Sequence, residues 1–265
     1  MSTSHVELTA IEVGEGSARR SIAVRRRSGR GPTLMWVGGF KSDMKGTKAE
    51  ALDRWADEQG RACIRFDYSG HGESSGAFAD GTIGRWLEEC RAVFAQFCDG
   101  PTIAVGSSMG GWISLLLARD IRAGSVQGVG TGSGSLAGLV LIAPAVDFTE
   151  VLMWQRMTPD IKKQIETTGS WQRPSEYSDE PYLITRQLIE DGRNHLLLGG
   201  LIETGCPVRI LQGVKDEDVP WEHAVSLVSR IARDDVVLTL VKDGDHRLSR
   251  PEDIERLLAA VAEFG

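Results

Sequence analysis

Pro101-Thr102-Ile103-Ala104-Val105-Gly106-Ser107-Ser108-Met109-Gly110-Gly111-Trp112 is the stretch on which the reading of this chain turns. Residues 101–105 read as a buried strand. From Met109 to Arg119 the apolar residues Trp112, Leu115 and Leu116 recur at i, i+3 and i+4, which predicts a helix. Between the two lies a G-x-S-x-G pattern, Gly106 to Gly110. A tight strand–turn–helix holds its central residue in a strained conformation, with the side chain raised above the sheet, while flanking glycines let neighbouring backbone pass closely. Ser108 also sits at a helix N-terminus, where free N–H groups and the helix dipole favour a developing negative charge. A serine after a strand can also be a plain helix cap, so its partners matter.

Outward from this turn, strand-like and helix-like segments alternate. Residues 5–13 and 20–27 alternate in polarity around Gly14-Glu15-Gly16-Ser17, which predicts a leading antiparallel hairpin. Residues 33–37 and 62–66 are short apolar runs, ending in Gly38-Gly39 and in Asp67-Tyr68-Ser69-Gly70-His71-Gly72. Helical spacing covers 48–59 and 82–98. Residues 124–138 are rich in Gly and Ser and read as a loop, with a strand at 139–143. The rhythm fails from about 147 to 205, then resumes with strands at 208–211 and 236–241 and helices at 221–231 and 254–264. Apolar strands alternating with helices predict a mostly parallel, eight-stranded sheet with helices on both faces. The chain thus reads as a single α/β domain, 1–265, with an inserted helical lid at about 147–205.

With 265 residues, the chain is long enough for one large α/β domain. Hydrophobic residues at 41% and charged residues at 25% are ordinary for a globular protein. A net charge of −7 argues against general nucleic-acid binding and offers no attraction to anionic lipid. The cluster Arg25, Arg26, Arg27, Arg30 reads as a strand end running into a charged turn. No run approaches the roughly 18 apolar residues of a membrane span. The first 13 residues lack the basic start and apolar core of a signal peptide. Cys63, Cys90, Cys98 and Cys206 form no C-x-x-C pair and no zinc-spaced cluster, so they are expected to be reduced structural residues in a cytoplasmic protein.

A serine hydroxyl needs an adjacent base, and the base an orienting acid. His246 lies in the polar turn Lys242-Asp243-Gly244-Asp245-His246 after the last strand, at the same sheet edge as Ser108. His195 and His223 are expected to have packing or surface roles. The acid should follow the preceding strand, in Gln212-Gly213-Val214-Lys215-Asp216-Glu217-Asp218. Asp216 is the first choice, with Asp218 and Asp147 as alternatives. For an oxyanion, the expected donors are the N–H of Met109 and, from the loop Gly38-Gly39-Phe40-Lys41, the N–H of Phe40. Trp112, Trp154, Trp171 and Tyr177 are candidates to line an apolar substrate site.

Together these motifs resemble the α/β-hydrolase superfamily over essentially the whole chain. The superfamily's G-x-x-D-x-x-V-P pattern falls on Gly213…Asp216…Val219-Pro220, which supports Asp216, and Gly38 stands where its oxyanion loop usually carries His. Gly106 to Trp112, Trp171 to Ser178, Lys215 to Trp221 and Asp245-His246-Arg247-Leu248 are similar to a subfamily of mycophenolic acid acyl-glucuronide esterases, also described as palmitoyl-protein thioesterases. The expected function is hydrolysis of a small-molecule carboxylic ester or thioester through an acyl-enzyme on Ser108, with no metal or cofactor. Two other readings fit the same residues: cleavage of C–C or peptide bonds, and a small-molecule receptor of low turnover. A haloalkane dehalogenase is disfavoured, because the turn carries Ser and not Asp. Oligomeric state is left open.

Overall fold

The computed structural model describes residues 6–126, 134–174, 181–232 and 235–265. In chain order the regular elements are β1 (Val6–Val13), β2 (Arg20–Arg27), β3 (Arg30–Val37), α1 (Thr47–Glu58), β4 (Arg61–Phe66), α2 (Ile83–Phe97), β5 (Pro101–Ser107), α3 (Met109–Arg122), β6 (Ser135–Ile142), α4 (Pro159–Thr168), β7 (Ser170–Arg173), β8 (Tyr182–Thr185), α5 (Arg186–Gly192), β9 (Val208–Gly213), α6 (Trp221–Val228), β10 (Val236–Val241) and α7 (Pro251–Ala262).

Eight strands form one sheet in the order β1-β2-β4-β3-β5-β6-β9-β10. β2 runs antiparallel to both β1 and β4, and every pairing from β4 to β10 is parallel. The central strands are apolar throughout because both faces are covered. Ile103 and Val105 of β5 face α1 and α7, in a cluster with Leu52, Ala56, Leu257 and Val261. Ala104 faces the opposite cluster, built with Trp86, Leu87, Trp112 and Leu116 of α2 and α3. Strand order reverses between β3 and β5, since β3 connects to β4 on one side while β5 continues to β6 on the other. Ligand sites of open α/β sheets form at such a point, at the carboxyl ends of the strands. The Val37↔Gly106 register brings the end of β3 level with the turn after β5.

Two expectations need correcting. β6 begins at Ser135 and not at 139, because Ser135 pairs with Pro101 and extends the ladder down the length of β5. Of the expected loop at 124–138, residues 127–133 lie outside those described. The stretch between β6 and β9 is not purely helical. It holds a π-helical turn (Phe148–Met153), a 3₁₀ turn (Trp154–Arg156), α4 and α5, but also the antiparallel pair β7 and β8. Gly169, at φ +85°, caps α4 in the left-handed conformation that glycine favours and turns the chain into β7. The aromatic and β-branched residues Trp171, Tyr182 and Ile184 then suit a pleated, half-buried surface. Among the described residues, no helix is long and apolar enough to cross a membrane.

Candidate active site

Ser108 stands between β5 and α3 at φ +54°, ψ −117°, a conformation that side-chain-bearing residues rarely adopt. Hydrogen bonds hold it there: its N–H donates to Ile142 O at 2.8 Å, and its carbonyl accepts from Gly111 and Ala145 N–H at 2.9 and 3.1 Å. The turn also demands glycine. A Cβ on Gly110 would lie 2.0 Å from Val37 O and 2.5 Å from Gly38 O, so only glycine lets the turn press against the end of β3. The loop after β3 packs closely from its side, since a Cβ on Gly39 would lie 3.1 Å from Ser107 O and 3.4 Å from Ser108 Cβ, a tight fit that a small shift could relieve.

His246 comes from the loop after β10 and Asp216 from the loop after β9. The adjacent parallel strands bring these loops together, and Lys215 N–H donates to Gly244 O at 2.9 Å. His246 Nε2 lies 3.0 Å from Ser108 Oγ, and His246 Nδ1 lies 2.8 Å from Asp216 Oδ2. A carboxylate beside Nδ1 assigns the proton to that nitrogen, so Nε2 accepts from the serine hydroxyl. Asp216 is buried, and its other oxygen accepts from Asp218 N–H at 3.0 Å and Val219 N–H at 2.8 Å. Gln212, also fully buried, donates through Nε2 to Asp216 Oδ2 at 3.1 Å and to the carbonyls of Gly213 and Val219. Gln212 had no place among the expected site residues. Its signal was a lone amide in an otherwise apolar strand. Behind His246, Lys48 Nζ donates to Arg247 O and Ser249 Oγ and ties the loop to α1. Burial pushes the Lys48 pKa down to about 8.

The two alternative acids have other partners. Asp147 is buried, and its carboxylate accepts from Leu197 and Leu198 N–H at 2.9 Å each, which clasps the end of the β6–β9 connection to its start. Desolvation raises its pKa. Asp218 pairs with Arg173 of β7 at 3.5 Å. His223 Nε2 lies 2.9 Å from Val146 O, and His195 Nε2 lies 3.7 Å from Asp191.

Above Ser108 opens a cavity of about 350 Å³, lined by Phe40, Met109, Phe148, Met153, Met157, Ile161, Trp171 and Tyr182 among others. Phe40 N–H meets no acceptor among the described residues. Met109 is the first residue of α3, where a helix leaves its N–H unpaired. Of the four expected lining aromatics, Trp171 is at the cavity. Trp112 is not: α3 is buried on nearly all sides, and this ring is fully buried against Phe148 with its N–H donating to His195 O at 3.2 Å. Trp154 packs outside the cavity beneath the cations of Lys162 and Arg193. Tyr177 lies outside the described residues. Phe148, Met153 and Tyr182 were not anticipated; they come from the π-helical turn and from β8, elements that periodicity did not foretell.

Five non-glycine residues among those described have positive φ: Lys41, Ser108, Ala143, Asp147 and Leu248. All five lie in loops at the carboxyl edge of the sheet, within this site or beside it. Among the described residues, one cluster has metal-binding geometry, Asp216, Asp218 and His246. The hydrogen bonds on Asp216 already engage both of its oxygens, so a metal there would have to displace Gln212, His246 or a backbone N–H.

The family model of the alpha/beta hydrolase family matches residues 34–259. Human palmitoyl-protein thioesterase ABHD10, described as mitochondrial, is 34% identical over 247 residues, covering 92% of this chain and 76% of that protein. A solved structure of a putative hydrolase from Agrobacterium vitis S4 superposes with a TM-score of 0.93 at 49% identity, covering 98% of this chain and 99% of that one. The solved structure of alpha/beta hydrolase domain-containing protein 10 from mouse superposes with a TM-score of 0.83 at 33% identity, covering 97% of each chain. This chain belongs to the alpha/beta hydrolase family, in the group that includes ABHD10.

Proposed function

We propose that this protein hydrolyses carboxylic esters or thioesters of apolar acyl groups through an acyl-enzyme on Ser108. The observation that carries the reading is the relay from Asp216 Oδ2 through His246 to Ser108 Oγ, with contacts of 2.8 and 3.0 Å, opening directly on a cavity that is mostly apolar, with Arg156, Arg173, Glu217 and Asp218 also on its wall. The Ser108 hydroxyl gives its proton to His246 Nε2 as Oγ attacks the acyl carbon. Asp216 orients the ring and stabilises its cationic form. The carbonyl oxygen, now negative, is met by the N–H groups of Phe40 and Met109. His246 returns the proton to the departing alkoxide or thiolate. A water then enters, is deprotonated by His246, and releases the acid from Ser108.

The β6–β9 connection supplies Phe148, Met153, Met157, Ile161, Trp171 and Tyr182 to the cavity, and we assign it the role of a lid over the acyl group. Each buried CH₂ is worth about 0.8 kcal/mol, or roughly fourfold in kcat/KM. A series of p-nitrophenyl esters and matched thioesters should therefore rise in kcat/KM with chain length and level off once the cavity is full. The names of the curated relatives favour the thioester arm of that series. Four buried free thiols fit a reducing compartment, and we assign the cytoplasm; the ABHD10 relatives are described as mitochondrial, and fractionation of the native source decides between the two. The central test is a fluorophosphonate probe. It should label wild type and not Ser108→Ala, and equal labelling of the two would refute the nucleophile.

A further inference from the structure

Two peptide planes flank the Cα of Phe40. The Gly39–Phe40 plane carries the unpaired N–H, and its carbonyl end is held from within the loop, where Gly39 O accepts from Ser42 Oγ at 2.9 Å and Ser42 N–H at 3.2 Å. The Phe40–Lys41 plane is held from outside the loop, by Lys41 N–H donating to His71 Nε2 at 3.0 Å. That bond crosses from the β3–α1 loop to the β4–α2 loop. Lys41 sits at φ +57°, a conformation that costs free energy and persists only where its surroundings impose it.

His71 is itself fixed. Its Nδ1–H donates to Ser69 O at 3.1 Å, which leaves Nε2 as the acceptor. Ser69 is anchored in turn by the buried Glu89 carboxylate, which accepts from its N–H at 2.8 Å and its hydroxyl at 2.6 Å. Tyr68, Phe78 and Trp86 surround the imidazole edge-on, with centroids at 5.7, 5.2 and 5.3 Å. Burial pushes the pKa of His71 down to about 4, so the ring stays neutral and its Nε2 lone pair stays available near neutral pH.

We propose that His71 is a positioning residue for ester hydrolysis: through Lys41 N–H it sets the Phe40 peptide so that the Phe40 N–H faces the oxyanion. His71 touches no reacting atom. The inference rests on the role given above to the Phe40 N–H. The competing account is that the Phe40 ring, packed edge-on against Phe78, Trp86, Phe148 and Tyr182, holds the loop without help.

His71→Gln keeps an acceptor oxygen near the place of Nε2, whereas His71→Leu removes it; both lose the ring packing. The measurements are kcat and KM on a short p-nitrophenyl ester, per active site titrated with fluorophosphonate, and inhibition by an alkyl trifluoromethyl ketone, whose adduct places an oxyanion in the hole. Losing one oxyanion donor typically costs about 10²–10³ in rate, so its misalignment in His71→Leu should cost about 10–100-fold in kcat with KM little changed. The ketone should weaken by a similar factor, and binding of a matching alkyl ether, which has no carbonyl, should not change. His71→Gln should recover most of the kcat loss although its Tm falls as far. If Leu does not fold, His71→Asn, polar but too short to reach Lys41, takes its place. Equal kcat for Gln and Leu (or Asn) per active site would overturn the proposal and leave the hydrolase reading intact. Failure of the ketone to inhibit wild type would overturn both.

Discussion

Replacing Asp216 by Asn tests the proposed relay most sharply, because the hydrogen bonds around the carboxylate dictate how the amide must sit. Asp216 Oδ1 faces two backbone donors, Asp218 and Val219 N–H. An amide NH₂ cannot occupy that position without setting donor against donor, so the Asn carbonyl must take it. The NH₂ then falls where Oδ2 was, facing Gln212 Nε2 and His246 Nδ1. Gln212 cannot turn to relieve the conflict, because its Nε2 also serves the carbonyls of Gly213 and Val219. His246 can adapt only by moving its proton to Nε2, the nitrogen that should accept from Ser108. The variant therefore holds the wrong tautomer and lacks the carboxylate that stabilises the imidazolium. In the serine-protease triad this change costs about 10⁴ in kcat, equal to roughly 5.5 kcal/mol of barrier, and a loss of 10³–10⁴ is expected here. The assay is p-nitrophenyl butyrate hydrolysis per folded molecule, with near-native KM and a circular dichroism spectrum matching wild type. A loss below about tenfold would refute the relay as drawn.

Asp147→Ala should act on stability, since it leaves Leu197 and Leu198 N–H without their acceptor, at a cost of about 2–4 kcal/mol in urea unfolding. A kcat loss as large as that of Asp216→Asn would move the acid to Asp147. Gly110→Ala should lower stability by about 3 kcal/mol and Tm by roughly 6–12 °C, because Val37 O stands in the way of the new methyl; an unchanged melting curve would contradict the close packing of turn and strand. The pKa of His71 also predicts a pH effect on stability. The folded protein resists protonating this ring until about pH 4, while an unfolded histidine takes its proton near 6.5. The unfolded state thus binds more protons between these values, so the contribution is intact above about pH 6.5 and falls away toward pH 4, by about 3 kcal/mol in all. Urea midpoints of wild type and His71→Gln should converge over that window; parallel curves would exclude it.

The sheet and the residues around Ser108 were legible because each carries local chemistry that the chain cannot disguise. Ser108 is flanked by glycines that neighbouring carbonyls make obligatory, and Asp216 and His246 follow apolar strands whose order places them at one edge. The lining of the cavity was less legible. Trp112 and Trp171 look alike in sequence, yet α3 is buried nearly all round and takes Trp112 into the core, while a four-residue strand presents Trp171 to the cavity. Tyr182 depends on that same short pairing, and Phe148 on a π-helical turn that helical periodicity cannot register. His71 escaped because its partner is a backbone N–H thirty residues away, and no side-chain pattern announces such a bond.

The gathering of left-handed backbone at one edge of the sheet also bears on how this protein can change. Each such residue costs roughly 1–3 kcal/mol, a sizeable share of the 5–15 kcal/mol by which a folded domain typically exceeds its unfolded chain. The interior packed by α1, α2, α3 and α7 is thus ballast for the loops that hold Ser108. Substitutions deep in that interior, far from any substrate, should lower the number of active molecules in a cell while each survivor turns over at the native rate. Variants first stabilised in the interior should, in turn, be the ones that tolerate new residues in the β6–β9 connection and take up new acyl groups.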